Sequence, residues 1–172
     1  MLDHDVQHGE GRTYRYFKGR ATIPFGFGLS YTSFALSLGE LPPASWSIDT
    51  ASLHPLNLSV ILTNTGARAG DDVVQAYFAP LALVPPGVPN HPIKALWGFE
   101  RVVALSSGAA ATVSFPLAAR DLQLSDLNGD LVLAPGTYRI TFENGAGAIA
   151  SHVVTLTGKK LVSEPFPQPT RT

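Results

Sequence analysis

Asp71 and Asp72 are the residues of this chain that first suggest catalysis. Cleavage of a glycosidic bond with retention uses two carboxyl groups held about 5–5.5 Å apart across the bond. This pair stands in the β-type run GDDVVQAYFAP (70–80), and neighbours on a strand point to opposite faces. They cannot converge on one bond, so a turn and strand-start role is expected. Asp126-Leu127-Asn128-Gly129-Asp130 echoes a calcium loop. It lacks the closing glutamate, and its glycine comes too early in the run, so a hairpin turn is the better reading. Asp3, His4, Asp5 and His8 imitate a metal cluster, but Gly9 and Gly11 follow and no third ligand is apparent. A solvated terminus is expected there. No catalytic, metal-binding or cofactor-binding residue is assigned, and no cofactor is expected. Trp46 and Trp97 could stack on sugar rings, although both stand among apolar neighbours where packing is the commoner fate. Asn57-Leu58-Ser59 matches a glycosylation triplet.

The elements that would position these residues are short and β-type. SLHPLNLSVILTNTG (52–66) alternates at Leu56, Leu58, Val60 and Leu62 and stops at Asn64-Thr65-Gly66. The run 70–80 ends at Pro80, and the proline-loaded stretch 81–92 reads as a surface excursion. KALWGFERVVAL (94–105) is a strand with a bulge expected at Gly98. AAATVSFPLA (109–118) alternates through Ala111, Val113 and Phe115. LAARDLQLSDLNGD (117–130) allows one short helical turn before the hairpin dipeptide Asn128-Gly129. LVLAPGTYRITFENG (131–145) reads as strand, Pro-Gly turn, strand, and AIASHVVTLTG (148–158) alternates weakly. Strands at roughly 8–12-residue spacing with no long helix predict an all-β, antiparallel two-sheet sandwich. Its expected core is Leu58, Val60, Leu62, Val74, Tyr77, Phe99, Val102, Val113, Phe115, Tyr138, Ile140 and Phe142. The tail 159–172, with three prolines, is expected to lie on a neighbour's surface or to be disordered.

The chain has 172 residues, 45% of them hydrophobic and only 15% charged. That charged share is well below the usual ~25%, so the surface is rich in small polar residues or partly covered by another body. A net charge of −1 without a basic block argues against nucleic acid and anionic membrane as partners. There is no cysteine, hence no disulfide or thiolate chemistry. No apolar run reaches the ~18 residues of a membrane span, and MLDHDVQHGEGR carries no apolar run of the secretory type.

The stretch GRTYRYFKGRATIPFGFGLSYTSF (11–34) gathers Tyr14, Tyr16, Phe17, Phe25, Phe27, Tyr31 and Phe34 with no helical or strand period. Gly26 and Gly28 suit positive φ and close backbone approach, and Pro24 stiffens the entry. A segment so aromatic and so irregular reads as a connector packed between two bodies. It closely resembles the segment that joins the catalytic half of glycoside hydrolase family 3 enzymes (β-glucosidases, β-xylosidases) to their C-terminal domain. TNTGARAGDDVVQAYFAP (63–80), LWGFERVVALSSGAAATVSFPL (96–117) and LSDLNGDLVLAPGTYRITF (124–142) resemble, in order, three segments of the fibronectin type III-like domain that ends those enzymes. The form PFGFGLSYTSF leans towards the β-xylosidase branch. Trp97 stands where the family often has Lys and Ala134 where it often has Glu, and both read as surface choices.

The resemblance implies an immunoglobulin or fibronectin type III-like sandwich over 51–158, a connector over 11–50, a tail over 159–172 and, in residues 1–10, a remnant of a preceding α/β domain. It implies a non-catalytic accessory role, since the family's nucleophile motif Ser-Asp-Trp is not in this sequence. The implied partners are the enzyme's barrel and α/β domains, in the same chain or a separate one, met through Tyr14, Tyr16, Phe17, Phe25, Phe27 and Tyr31. Glu100 and Arg101 are expected to pair with each other or to touch that body. The parent reaction is retaining hydrolysis of terminal β-linked glucose or xylose, without a cofactor, by enzymes that are often secreted or periplasmic. The alternative is a stand-alone carbohydrate-binding or adhesion module with polysaccharide as its partner, which a solvent-facing row of Trp46 and Trp97 would favour.

Overall fold

A computed structural model of the chain describes residues 9–40, 43–51, 54–81 and 91–167. The strands run in chain order β1 (Phe34–Leu38), β2 (Ser45–Ser47), β3 (Leu56–Asn64), β4 (Gly70–Pro80), β5 (Ala95–Leu105), β6 (Ala110–Leu117), β7 (Leu124–Ser125), β8 (Leu131–Leu133), β9 (Gly136–Glu143), β10 (Ile149–Thr157) and β11 (Leu161–Glu164). Two one-turn helices, α1 (Thr13–Tyr16) and α2 (Ile48–Ala51), and a 3-10 turn at Ala119–Leu122 complete the described elements.

A three-stranded sheet, β1-β3-β6, faces a five-stranded sheet, β2-β10-β9-β4-β5. Every pairing is antiparallel except β2 with β10. The core lies between the sheets because one side of each strand is apolar. Leu56, Leu58 and Val60 of β3 stand opposite Leu117, Phe115 and Val113 of β6, and Leu62 opposite Ala111. They face Val74, Ala76 and Phe78 of β4 and Tyr138, Ile140 and Phe142 of β9. Phe115 and Phe142 close the middle, ring centres 5.4 Å apart.

Tyr138 opens β9 and donates its hydroxyl hydrogen to the Ala134 carbonyl at 2.8 Å. This is the tyrosine corner of immunoglobulin-type sandwiches, four residues back along the chain. Burial pushes the acidity of that phenol far down, so it stays a donor at any ordinary pH. Ala134 is therefore fully buried rather than on the surface as expected.

Another expectation fails for a definable reason. Phe99 is 68% exposed instead of in the core. Ala76 pairs with Gly98 while Tyr77 pairs with Leu96, which makes Trp97 the extra residue of a bulge. The extra residue shifts the side-chain alternation, so Phe99 falls on the outer face opposite Gln75, whereas Val102, opposite Asp72, packs partly buried against the core. The bulge itself sits beside the expected glycine, which stands against the Phe115 ring. β1 and β2 lie within 11–50.

The tail is neither detached nor shapeless over its described part. β11 pairs with β8, which the Asn128-Gly129 hairpin has already paired with β7. The third small sheet gains its last strand because Lys160 reaches the Asp126 carboxylate at 2.9 Å and Gln123 donates to Ser163 at 2.7 Å. Asp126 also accepts the amide hydrogens of Asn128 and Asp130 at 2.9 and 3.2 Å. The calcium-like run is thus a self-satisfied turn. Residues 82–90, most of the expected surface excursion, lie outside the described residues, as do 168–172.

Phe115→Ala removes a ring that is 4% exposed at the sheet interface. It should destabilise the chain by about 3–5 kcal/mol, read from the denaturation midpoint; an unchanged midpoint would take Phe115 out of the core. Asp126→Asn tests the tail clasp. The Lys160 hydrogen bond, followed by the turn amides, holds the Asp126 carboxyl below its ordinary 3.8. A depressed folded value means stability that is present above 3.8 and lost as pH falls through the folded value. The variant should melt earlier than the parent near neutrality and equally once the parent is protonated. A deficit of the same size at both ends would show that charge is not the cause.

Candidate interdomain surface

β4 is the strand on which this surface rests. Its inner side, Val74, Ala76 and Phe78, belongs to the core, while Gln75 and Tyr77 point to the outer side and are buried as well. Tyr77 was expected among the sandwich core; it is completely buried, but under the connector. Tyr14 of α1 meets it edge-on with ring centres 5.8 Å apart, and Phe25 stacks on Tyr14 at 4.4 Å. The Tyr14 hydroxyl oxygen accepts the Leu96 amide hydrogen at 3.4 Å, and Ile93 donates its amide hydrogen to the Arg15 carbonyl at 2.6 Å. The connector therefore lies across β4 and the start of β5.

Several polar side chains under this cover have partners. The Tyr77 hydroxyl donates to Gln75 Oε1 at 2.6 Å. Lys94 Nζ sits 4.3 Å above the Tyr77 ring and pairs with Glu143 of β9. Burial, with Glu143 and Tyr14 adding to it, holds the Tyr77 phenol in its neutral form. Backbone comes close to the Gln75 side-chain amide at Gly26 and to backbone at Gly145. Gly26 has φ +84°, and a Cβ there would come within 2.2 Å of the Gln75 amide; Gly145 has φ +71°, and a Cβ there would come within 2.4 Å of Gly26 itself. Gly28 is not in the positive-φ region.

The far end of the connector is fastened by Asn64, which is fully buried. Its side-chain nitrogen donates to the carbonyls of Arg68 and Leu105 at 2.7 and 2.8 Å. Its side-chain oxygen accepts from the Thr32 hydroxyl at 2.7 Å and the Gly66 amide at 3.0 Å. Thr65 and Gly66 donate their amide hydrogens to the Ser33 carbonyl. One asparagine thus joins the β3–β4 turn, the end of β5 and the connector.

The six aromatics assigned to the surface divide. Tyr14 turns inward and is half-buried, as are Tyr16 and Phe17, whereas Phe25 and Phe27 are about half-exposed and Tyr31 stands 93% exposed. Ile23 and Leu29, which the aromatic count left out, extend the outward row at 69% and 94% exposure. Two hollows flank the connector. An apolar cup of about 500 Å³ is lined by Tyr14, Phe17, Ile23, Phe25, Ile93 and Lys94. A polar cleft of about 440 Å³ is lined by Leu29, Thr32, Asp71, Asp72, Arg101 and Asn144.

In the cleft the two aspartates go separate ways. Asp71 accepts the Ala104 amide hydrogen at 2.8 Å and pairs with Arg101 at 2.7 Å, and these contacts hold its carboxyl below the ordinary value. Arg101 is therefore the partner of Asp71, not of Glu100. Asp72 accepts from the Asn144 amide at 2.9 Å, and burial pushes its carboxyl up. Trp46 is 4% exposed within the core, and Trp97, half-buried in its bulge, meets Phe142 edge-on at 6.0 Å. Neither offers a free ring face in a flat row, and Trp97 is not a surface choice. The cluster Asp3, His4, Asp5 and His8 lies outside the described residues. Among the described residues no group of three or more His, Asp or Glu side chains is placed to hold a metal ion, and no helix is long and apolar enough to cross a membrane.

Residues 72–145 match the fibronectin type III-like domain. A probable exo-1,4-beta-xylosidase of Aspergillus fumigatus is 33% identical over 175 residues, which are 94% of this chain and 22% of that protein. A probable exo-1,4-beta-xylosidase of Aspergillus oryzae is 33% identical over 184 residues, 98% of this chain and 22% of its own length. Among solved structures, a family 3 exo-beta-xylosidase in complex with a xylobiose aziridine activity-based probe superposes with a TM-score of 0.80 at 27% identity, covering 94% of this chain and 22% of that one. Over nearly its whole length the chain matches the C-terminal, fibronectin type III-like part of glycoside hydrolase family 3 enzymes.

Within family 3 it corresponds to the accessory, non-catalytic segment at the C-terminal side of xylosidases and glucosidases. It spans 22% of the length of these relatives. The matched domain stops short of the connector at Asp72, yet the xylosidases share 94% of the chain, too much to leave the connector out. Beyond the aromatics, the residues that fasten the connector are Asn64, Thr32, Gln75, Lys94 and Glu143. The TNTG segment was the one signal for Asn64; nothing in the sequence set Lys94 or Glu143 apart from other surface charges.

Gly26→Ala tests the fastening. The added methyl has no room against Gln75 and forces a left-handed backbone that costs L-residues roughly 1–2 kcal/mol. Trypsin should then cut the connector at Arg12, Arg15, Lys18 or Arg20 several times faster, while the sandwich stays folded. A cleavage rate equal to the parent's would mean that the connector does not depend on this contact.

Proposed function

We propose that this chain braces the catalytic part of a family 3 β-glycosidase, whose reaction is retaining hydrolysis of terminal β-linked xylose or glucose. The observation that carries the proposal is the two-sided connector. Its inner residues are spent on the sandwich, and its outer residues, Leu29 and Tyr31 above all, are left almost wholly in water. Buried aromatics remove about 150–250 Å² each from water, and a row of Ile23, Phe25, Phe27, Leu29 and Tyr31 exceeds the ~300–600 Å² apolar patch usual on a monomer. Such a row fits a protein surface, namely the barrel and α/β domains that make up the rest of these longer relatives. The xylosidase identities favour xylose over glucose. The chain alone should lack catalysis, because Asp71 and Asp72 are committed to different partners and cannot act as the paired carboxyls that retention requires. A stand-alone sugar-binding module is disfavoured by the position of Trp46 and Trp97.

Purified chain should release no aryl from aryl β-xylosides or β-glucosides, and it should self-associate in light scattering through the uncovered row. The double variant Leu29→Ser, Tyr31→Ser should shift it towards monomer with its melting unchanged. Turnover that survives replacement of Asp71, Asp72 and Asp126 would overturn the accessory role. A parent chain that is already monomeric and binds hydrophobic dye as poorly as the variant would overturn the bracing surface.

A further inference from the structure

β1, β3 and β6 together contain no Asp, Glu, Lys or Arg. Their inner side is core. Their outer side is a sheet face of small and uncharged residues, paired as Asn57 with Pro116, Ser59 with Ser114 and Ile61 with Thr112. Such a face is unusual, because solvated sheet faces and edges normally carry charges that keep other chains from adding to them. β6 ends this sheet and has only Pro116 as a guard.

Asn57 differs from the two buried asparagines. Asn64 and Asn144 spend their amides inside the fold, whereas Asn57 is exposed on the outer face and its side chain holds no partner among the described residues. Asn57-Leu58-Ser59 is also the single Asn-x-Ser/Thr triplet in the sequence. Leu58 is core and Ser59 accepts the Glu40 amide hydrogen at 2.7 Å, so the triplet is readable only on the unfolded chain, while the folded chain keeps the Asn57 amide outside. We propose that Asn57 is an N-glycosylation acceptor and that its glycan shields this uncharged face and the β6 edge. A glycan there is bulky and solubilising. It would stand on the sheet opposite to the one the connector covers, clear of Leu29 and Tyr31.

In the transfer, Asn57 Nδ2 attacks the anomeric carbon of an oligosaccharide carried on a lipid diphosphate. A C–N bond forms, the C–O bond to the diphosphate breaks, the lipid diphosphate leaves with the electron pair, and the amide gives one proton to a base of the transferase.

The test is to pass the full chain, behind a cleavable leader, through a yeast secretory pathway and treat the folded product with a glycan-releasing amidase in heavy-oxygen water. Peptide mass spectrometry should find labelled Asp at position 57 in most molecules. Asn57→Gln and Ser59→Ala should lose the label, Ser59→Thr should keep it, and Asn57→Gln should melt like the amidase-treated parent. If the chain is held inside the cell, the microsomal fraction is read in the same way. Unmodified Asn57 in most molecules of folded parent, or an unchanged glycan on Asn57→Gln, would overturn the proposal.

Discussion

The outer side of β4 cannot face water, and most of the architecture answers to that constraint. Antiparallel sheets in sandwiches usually bury one face and wet the other. Here five successive residues, Val74 to Phe78, are buried, so the strand needs a core on one side and a cover on the other. The cover is the connector, and its central contact is Tyr14 on Tyr77. An aromatic pair of this kind contributes about 0.5–1.5 kcal/mol beyond its area. The Lys94 ammonium over the same ring is held by Glu143 and fills the remaining side. Remove the connector and β4 exposes a tyrosine and a glutamine at once. The connector is therefore a third layer of the domain rather than a linker attached to it.

Close packing of that layer makes demands on the polar groups at its ends. The chain enters and leaves through turns whose amides would be buried without partners, which is expensive in a dry site. Asn64 and Asn144 meet this demand in the same way, each from the end of a strand. Each side-chain oxygen accepts turn amides and each side-chain nitrogen donates across to a different element. The geometry accounts for asparagine where aspartate might seem equivalent, since aspartate would lose the donor and bury a charge. Tyr138 does the equivalent work at the crossing from the small sheet into β9.

Single-sided strands were legible in the sequence, and double-sided or bulged ones were not. β3, β6 and β9 alternate apolar inside and polar outside, so Leu58, Val113 and Ile140 fall where period two puts them. Tyr77 reads as buried from its type, but alternation cannot say that a second layer buries it. Phe99 was misplaced because the bulge at Trp97 inserts a residue that no local pattern marks apart from Gly98. β11 escaped because Leu-Val-Ser-Glu has no period of its own; it is a strand because β8 offers an edge and Asp126 a counter-charge. The connector aromatics were legible as a group, yet their sorting into inner and outer rows depends on three-dimensional contacts with Gln75 and Gly145. Family resemblance located the segment, while the side each ring takes is set by packing.

Under the bracing role proposed above, that sorting lets a small β-sandwich hold a larger body. A flexible aromatic segment would have to give up its own conformational entropy on contact, and ordering a rotamer-rich side chain consumes about 0.5–1.5 kcal/mol. Here the inner row has already been immobilised by the sandwich, through Tyr14 and Phe25 at one end and Thr32 on Asn64 at the other. Leu29 and Tyr31 lie between Gly26 and Thr32, two points at which the backbone is fixed against Gln75 and Asn64. Their outward direction is thus settled before any partner arrives. In that role the sandwich contributes rigidity rather than contact area. Stiffness comes from the two packed sheets, transmission from β4, and contact from the connector's outer row.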